Sequence, residues 1–127
     1  MALDLGHTRS RLGRATGGLS GPAIKPLALA RCAEAVQAVT IPVIGSGGIT
    51  SGRDALEFLA VGATAVQVGT ATFVRPRAAS ETLDEMRAFL AERGIAKIGE
   101  WIGVLGADSA RRHGRNGAGR TRTKAGS

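Results

Sequence analysis

Short apolar runs alternate with amphipathic stretches along the first hundred residues. Ile41–Gly45 (IPVIG) is continuously apolar, the pattern of a strand buried on both faces, and Ala63–Val68 (ATAVQV) reads as a second such strand. Between them a helix is predicted over Gly52–Val61, with Leu56, Leu59 and Ala60 on its inner face. Ser51 and Asp54 have the spacing of a capping box at its start, and Gly62 is placed to cap its end. An earlier helix opens near Pro26, whose missing N–H is harmless in a first turn, and aligns Leu29, Ala33 and Val36, with Ala30 beside them. A third helix, roughly Ser80–Arg93, lines up Leu83, Met86, Phe89 and Leu90 and stops at Gly94. Ile98, Trp101, Ile102 and Leu105 fall at i, i+3, i+4 and i+7, which predicts a last amphipathic helix. The alternating piece and polar turn of Met1–Gly13 fit a β-ribbon or an irregular loop. Two strands joined by one helix imply a right-handed parallel βαβ unit, so the expected class is α/β.

Beyond Gly106 the periodicity ends. The chain has 127 residues and a formal charge of +7, which suggests a nucleic-acid binder until its distribution is examined. Ser109–Ser127 holds Arg111, Arg112, Arg115, Arg120, Arg122 and Lys124 and no acid, so nearly all the excess belongs to this tail. The expected division is a folded body over 1–106 and a disordered basic tail over 107–127, whose few apolar groups cannot offset the entropy of ordering. The tail also lacks the interleaved aromatics that stack bases, so nucleic acid is not the expected partner. A single cysteine, Cys32, excludes an internal disulfide and fits a reducing compartment. No apolar run reaches the ~18 residues of a membrane span, and the first residues lack the apolar core of a signal peptide. The expected location is the cytoplasm.

The candidate chemistry lies in the loops that follow the apolar runs. A phosphate dianion needs several converging backbone N–H donors and no side chain in the way. Gly47-Gly48 and Gly69-Thr70 supply such donors at the ends of neighbouring parallel strands, and Gly21 ends a third glycine-rich turn, ATGGLSGP. Any one of these glycines is explained by the turn it makes. Two pairs on successive parallel strands share one rim, and that favours a ligand.

GGLSGPAIKP (Gly17–Pro26), IPVIGSGGI (Ile41–Ile49) and DALEFLAVGATAVQVGTA (Asp54–Ala71) closely resemble the later part of class 1 dihydroorotate dehydrogenase, most like its NAD-linked form. The likeness runs from about Met1 to Gly94 and includes the intervals between motifs. It implies the C-terminal portion of a TIM-type (β/α)8 barrel, with FMN bound by Gly21, Gly47, Gly48, Gly69 and Thr70. It also implies oxidation of dihydroorotate to orotate in pyrimidine biosynthesis, with electrons passing to NAD through a separate subunit. The family's catalytic base, a cysteine in the NAD-linked form, lies upstream of anything in this sequence, as do the residues that clamp orotate. Ala2-Leu3-Asp4 resembles the chain just past the sixth strand, so the expectation is a truncated product or a misassigned start, inactive alone. Such a piece is expected to self-associate or to need a complementary fragment. Two readings remain beside this one: a non-catalytic FMN or phosphate-binding module, and another FMN-dependent barrel oxidoreductase.

Other reactive residues are given ordinary roles, and none is assigned as catalytic. Cys32 falls near the apolar face of its helix and reads as a small core residue. His7 and His113 have no companions that suggest a metal site. Lys25 reads as a solvated lysine at a helix start. Asp54, Glu57, Asp84 and Glu85 are placed on solvated helix surfaces, with Asp54 as a cap.

Overall fold

The computed structural model describes residues 2–106. The expected tail, 107–127, lies outside them. The chain opens with a small antiparallel ribbon, β1 (Leu3–Asp4) and β2 (Arg9–Ser10), in which Leu3 pairs with Ser10 and Asp4 with Arg9. A 3-10 turn at Pro22–Ile24 leads into helix α1 (Lys25–Ala38), where Pro26 occupies the first turn as expected. The chain then alternates through β3 (Ile44–Ser46), α2 (Gly52–Ala60), β4 (Ala65–Gln67), the short α3 (Ala71–Val74) and α4 (Ala78–Glu92).

β3 and β4 are parallel neighbours, with Ile44, Gly45 and Ser46 opposite Ala65, Val66 and Gln67. A bond from the Thr64 N–H to the Val43 carbonyl (2.8 Å) extends the pairing by one step. Both strands are shorter than their apolar runs, partly because Pro42 has no N–H to donate to a ladder. The expectation of burial on both faces is also corrected. Gly45 is buried and Val66 half-buried on the helix-covered side, whereas Ile44 is 57% exposed and Ala65 and Gln67 are exposed. Among the described residues the helices cover one face of this sheet, and nothing covers the other.

The main core cluster is Cys32, Ile49, Ala55, Phe58 and Ala63, with residues such as Ala28, Leu29, Val36, Val61, Val66 and Met86 packed against it, and Leu56, Leu59, Ala60, Ala71 and Ala78 are also buried. Phe58 is fully buried, and a Cβ on Gly45 would lie 2.6 Å from its ring. α2 therefore presses against β3 at a position that admits no side chain. Half of the predicted capping box forms: the Ser51 hydroxyl accepts from the Asp54 N–H (3.2 Å), but the Asp54 carboxylate accepts from the Thr50 N–H (2.9 Å) instead of closing back on Ser51.

α4 starts two residues before its predicted limit and ends one before it. Its most buried positions are Ala78 and Thr82, while Leu83, expected to face inward, is 45% exposed. The predicted last helix is not continuous. Ile98–Glu100 makes a 3-10 turn, and Gly103, at φ 75°, breaks the helical path. The segment is pinned instead by single bonds, from the Trp101 indole N–H to the Leu56 carbonyl (2.9 Å) and from the Gly103 N–H to the Leu59 carbonyl (2.9 Å). Trp101 also meets Phe89 edge to face at 5.3 Å, with the Arg93 guanidinium 4.4 Å from the same Phe89 ring.

Candidate functional site

The parallel register sets the ends of β3 and β4 side by side, so the loops that follow them form one rim. Together with the turn before α1 they enclose a cleft of about 280 Å³. Gly21, Gly47, Gly48, Gly69 and Thr70 all line it, so the structure brings the five sequence-predicted residues together. Its wall also includes Ser20, Ser46, Thr50 and Gln67, which sequence reasoning missed. Ser46 and Gln67 end the two strands, and the strand pattern alone could have marked them as rim positions.

The glycines are there for different reasons. Gly48 has φ 73°, and a Cβ there would lie 2.8 Å from the Lys25 Cβ and 2.9 Å from the Gly21 carbonyl oxygen. It locks the loop after β3 against the start of α1, and packing alone accounts for it. Gly69 has neither constraint: its φ is outside the left-handed region, and a Cβ would meet nothing within 4 Å. Its missing side chain leaves open space at the cleft wall.

Among the described residues, the N–H groups of Gly47, Gly48, Ile49, Gly69 and Thr70 donate to no protein acceptor. Free amides from two adjacent loops around a small cleft are a donor set suited to an oxyanion. At the lower end of the ~300–1,000 Å³ of small-molecule sites, the cleft has room for a phosphate and part of the chain attached to it. The groups that the resemblance assigns to FMN therefore fit its phosphate. The cleft wall has no Asp, Glu, His, Cys or Lys, so no carboxylate repels an anion and no side chain is equipped to take a proton.

Behind the cleft, several expected surface residues are engaged, which corrects their assignment. Lys25 is half-buried and paired rather than freely solvated: its Nζ donates to Asp54 Oδ1 (2.6 Å) and Glu57 Oε2 (2.8 Å), and both partners hold its ammonium above the ordinary lysine range. The Asp54 side chain is only 14% exposed. Burial opposes its ionisation, but Lys25 and the Thr50 N–H and hydroxyl prevail and hold the carboxyl well below the usual carboxylate range. Glu85 accepts the Gly52 N–H (2.6 Å) and so ties α4 to the start of α2. Asp84 is on the surface as expected, near Arg87 alone. Cys32 is buried, and burial pushes its thiol pKa up, the opposite of a reactive thiolate. His7 does have an acidic neighbour, with Nδ1 2.9 Å from Asp4 Oδ2, although no cluster of three metal-ligating side chains occurs among the described residues. No helix there is long and apolar enough to cross a membrane.

A larger recess of about 470 Å³, between α2, α4 and the Trp101 segment, includes Leu56, Phe89 and Trp101 but none of the five predicted residues.

Comparison with known proteins gives a consistent picture. The family model described as dihydroorotate dehydrogenase matches residues 1–90. The catalytic subunit of dihydroorotate dehydrogenase B (NAD(+)) from Trichlorobacter lovleyi is 59% identical over 105 residues, covering 83% of this chain and 34% of the relative. The same subunit from Geobacter sulfurreducens is 56% identical with the same coverage. Among solved structures, ligand-free DHODH from Eimeria tenella superposes with a TM-score of 0.65 at 33% identity, covering 76% of this chain and 28% of that one. The chain thus spans about a third of the length of the curated relatives it matches.

Proposed function

The chain belongs to the dihydroorotate dehydrogenase family, and we propose that it forms the phosphate-holding rim of an FMN site in an enzyme that oxidises dihydroorotate to orotate in pyrimidine biosynthesis. In this reading β3, α2 and β4 belong to consecutive units of a (β/α)8 barrel, a fold whose ligands bind at the C-terminal ends of the strands. One observation carries the proposal: the five residues assigned to FMN line a single cleft that also exposes unpaired amides.

The residues then divide the work. The amides of Gly47, Gly48, Gly69 and Thr70 hold the phosphate oxygens, and the Thr70 hydroxyl supplies a further donor. Gly21 lets a third backbone segment approach the adjoining ribityl chain. FMN, when bound, supplies acceptance of the hydride taken from dihydroorotate. No side chain of the cleft wall serves as the base for the accompanying proton, so that group must come from outside the cleft described. NAD as final acceptor, and an electron-transfer subunit as partner, are proposed because the relatives are named as catalytic subunits of an NAD(+)-linked enzyme.

The same lack of an acid or base favours, as a second reading, a chain that binds FMN without catalysis by itself. Titration with FMN and with riboflavin, which lacks the phosphate, tests the rim directly. FMN is expected to bind at least about tenfold more tightly, the equivalent of ~1.4 kcal/mol. Equal affinities would remove the proposed role. Dihydroorotate-dependent flavin reduction by the purified chain would instead show that it contains a base of its own.

A further inference from the structure

Within the cleft wall, Thr50 is gripped from two directions by charged side chains that do not themselves line the cleft. Asp54 Oδ2 accepts both its N–H (2.9 Å) and its hydroxyl (2.8 Å). Arg75, just beyond α3, donates from Nη2 to the Thr50 carbonyl (2.5 Å). Each clamp is braced in turn: the other Asp54 oxygen takes the Lys25 ammonium at 2.6 Å, and Arg75 Nη1 bonds Glu81 at 2.8 Å. All three polar groups of Thr50 are thus fixed, while the preceding amides of Gly47, Gly48 and Ile49 have no protein partner among the described residues. Arg75 follows β4 and Thr50 follows β3, so this contact also joins the two loops of the rim.

We propose that Asp54 and Arg75 are positioning residues that hold the Gly47–Thr50 loop, and its spacing from Gly69-Thr70, in the geometry that receives a phosphate monoester. The inference rests on the phosphate-binding reading above. Its physical basis is preorganisation. Two successive positive-φ glycines, Gly47 at 122° and Gly48 at 73°, are residue types that lose more conformational freedom on ordering than any other. Ordering one residue costs roughly 1–2 kcal/mol, and a ligand binds more weakly if it must do the ordering itself. Clamping Thr50, two residues further on, by all its polar groups does that work in advance. The polar residues nearest the free amides remain neutral, and both charged clamps stay outside the wall, so the anion meets no competing carboxylate.

The test uses the full chain and compares FMN with riboflavin by flavin fluorescence titration. Asp54→Asn and Arg75→Met are each expected to weaken FMN binding about tenfold while leaving riboflavin affinity unchanged. Asp84→Asn, on the α4 surface, should alter neither. Circular dichroism establishes that each variant folds. Arg75 is 46% exposed, so its replacement decides the question even where Asp54→Asn loses structure. Wild-type preference for FMN that persists in a folded Arg75→Met variant overturns the positioning role and leaves the phosphate site standing. A wild type with no preference for FMN sinks both.

Discussion

At the scale of single residues, the rim separates glycines demanded by the backbone from one that the backbone does not need. Gly48 combines a positive φ with a Cβ position already occupied by Lys25 and the Gly21 carbonyl. Gly48→Ala is therefore expected to destabilise the chain by about 1–3 kcal/mol. Gly69→Ala places its methyl in open space and should stay within about 0.5 kcal/mol of wild type. If Gly69 is bare to let phosphate approach, the methyl still weakens FMN binding relative to riboflavin. Thermal melts and the two flavin titrations separate these effects. A Gly69→Ala chain with wild-type FMN affinity would return that glycine to an incidental role. The residue scale also shows where pattern reading fails. Asp54, Lys25 and Glu85 lie on helices whose sequence marks them as surface, yet each is drawn to a partner on another element. Charge type and helical phase say nothing about what stands opposite.

At the scale of elements, α1 and α2 are joined by an ion pair whose consequence is readable in pH. The Asp54 carboxyl is depressed in the folded state, so its contribution is complete above the unfolded value near ~3.9 and is lost as pH falls through the lower folded value. The Lys25 ammonium is raised, so its contribution is complete below 10.5 and is lost as pH climbs through the higher folded value. Asp54→Asn should accordingly flatten the acid limb of a stability–pH profile. A double-mutant cycle between Lys25 and Asp54 should give about 1.5–3 kcal/mol. The exposed Arg31–Glu34 pair, within α1, should give only about 0.2–1 kcal/mol. Equal couplings for the two pairs would show that partial burial adds nothing here. Helix and strand order was legible at this scale, because period and punctuation are local properties. Boundaries were less so: the predicted last helix yields to Gly103 and to bonds from Trp101 and Gly103 onto α2.

At the scale of the whole molecule, apolar surface is left uncovered at the two-stranded parallel sheet, on the segment before it and on α3. Ile41 is 70% exposed, Ile44 57%, Phe73 90% and Val74 81%. Parallel strands are ordinarily covered on both faces, and patches of this kind mark contacts with other protein. Sedimentation of the purified chain should therefore show concentration-dependent association, weakened by Ile44→Lys. A monodisperse wild-type monomer across the micromolar range would contradict this.

The sequence by itself determined the alternation of strands and helices, the parallel βαβ unit, the cap at Ser51 and the family, since these depend on residue type and near-neighbour spacing. It also placed four of the five rim residues at the ends of neighbouring strands and Gly21 in a third glycine-rich turn. The tertiary structure decided that the loops close around one cleft, that its free amides are left unpaired, and that Asp54 and Arg75 hold Thr50 from behind. Apart from the local Thr50–Asp54 contact, such relations join residues far apart in the chain, as Thr50 with Arg75 (25 positions) and Lys25 with Asp54 (29 positions). Across such separations no local pattern fixes distance or direction; only the packed chain does.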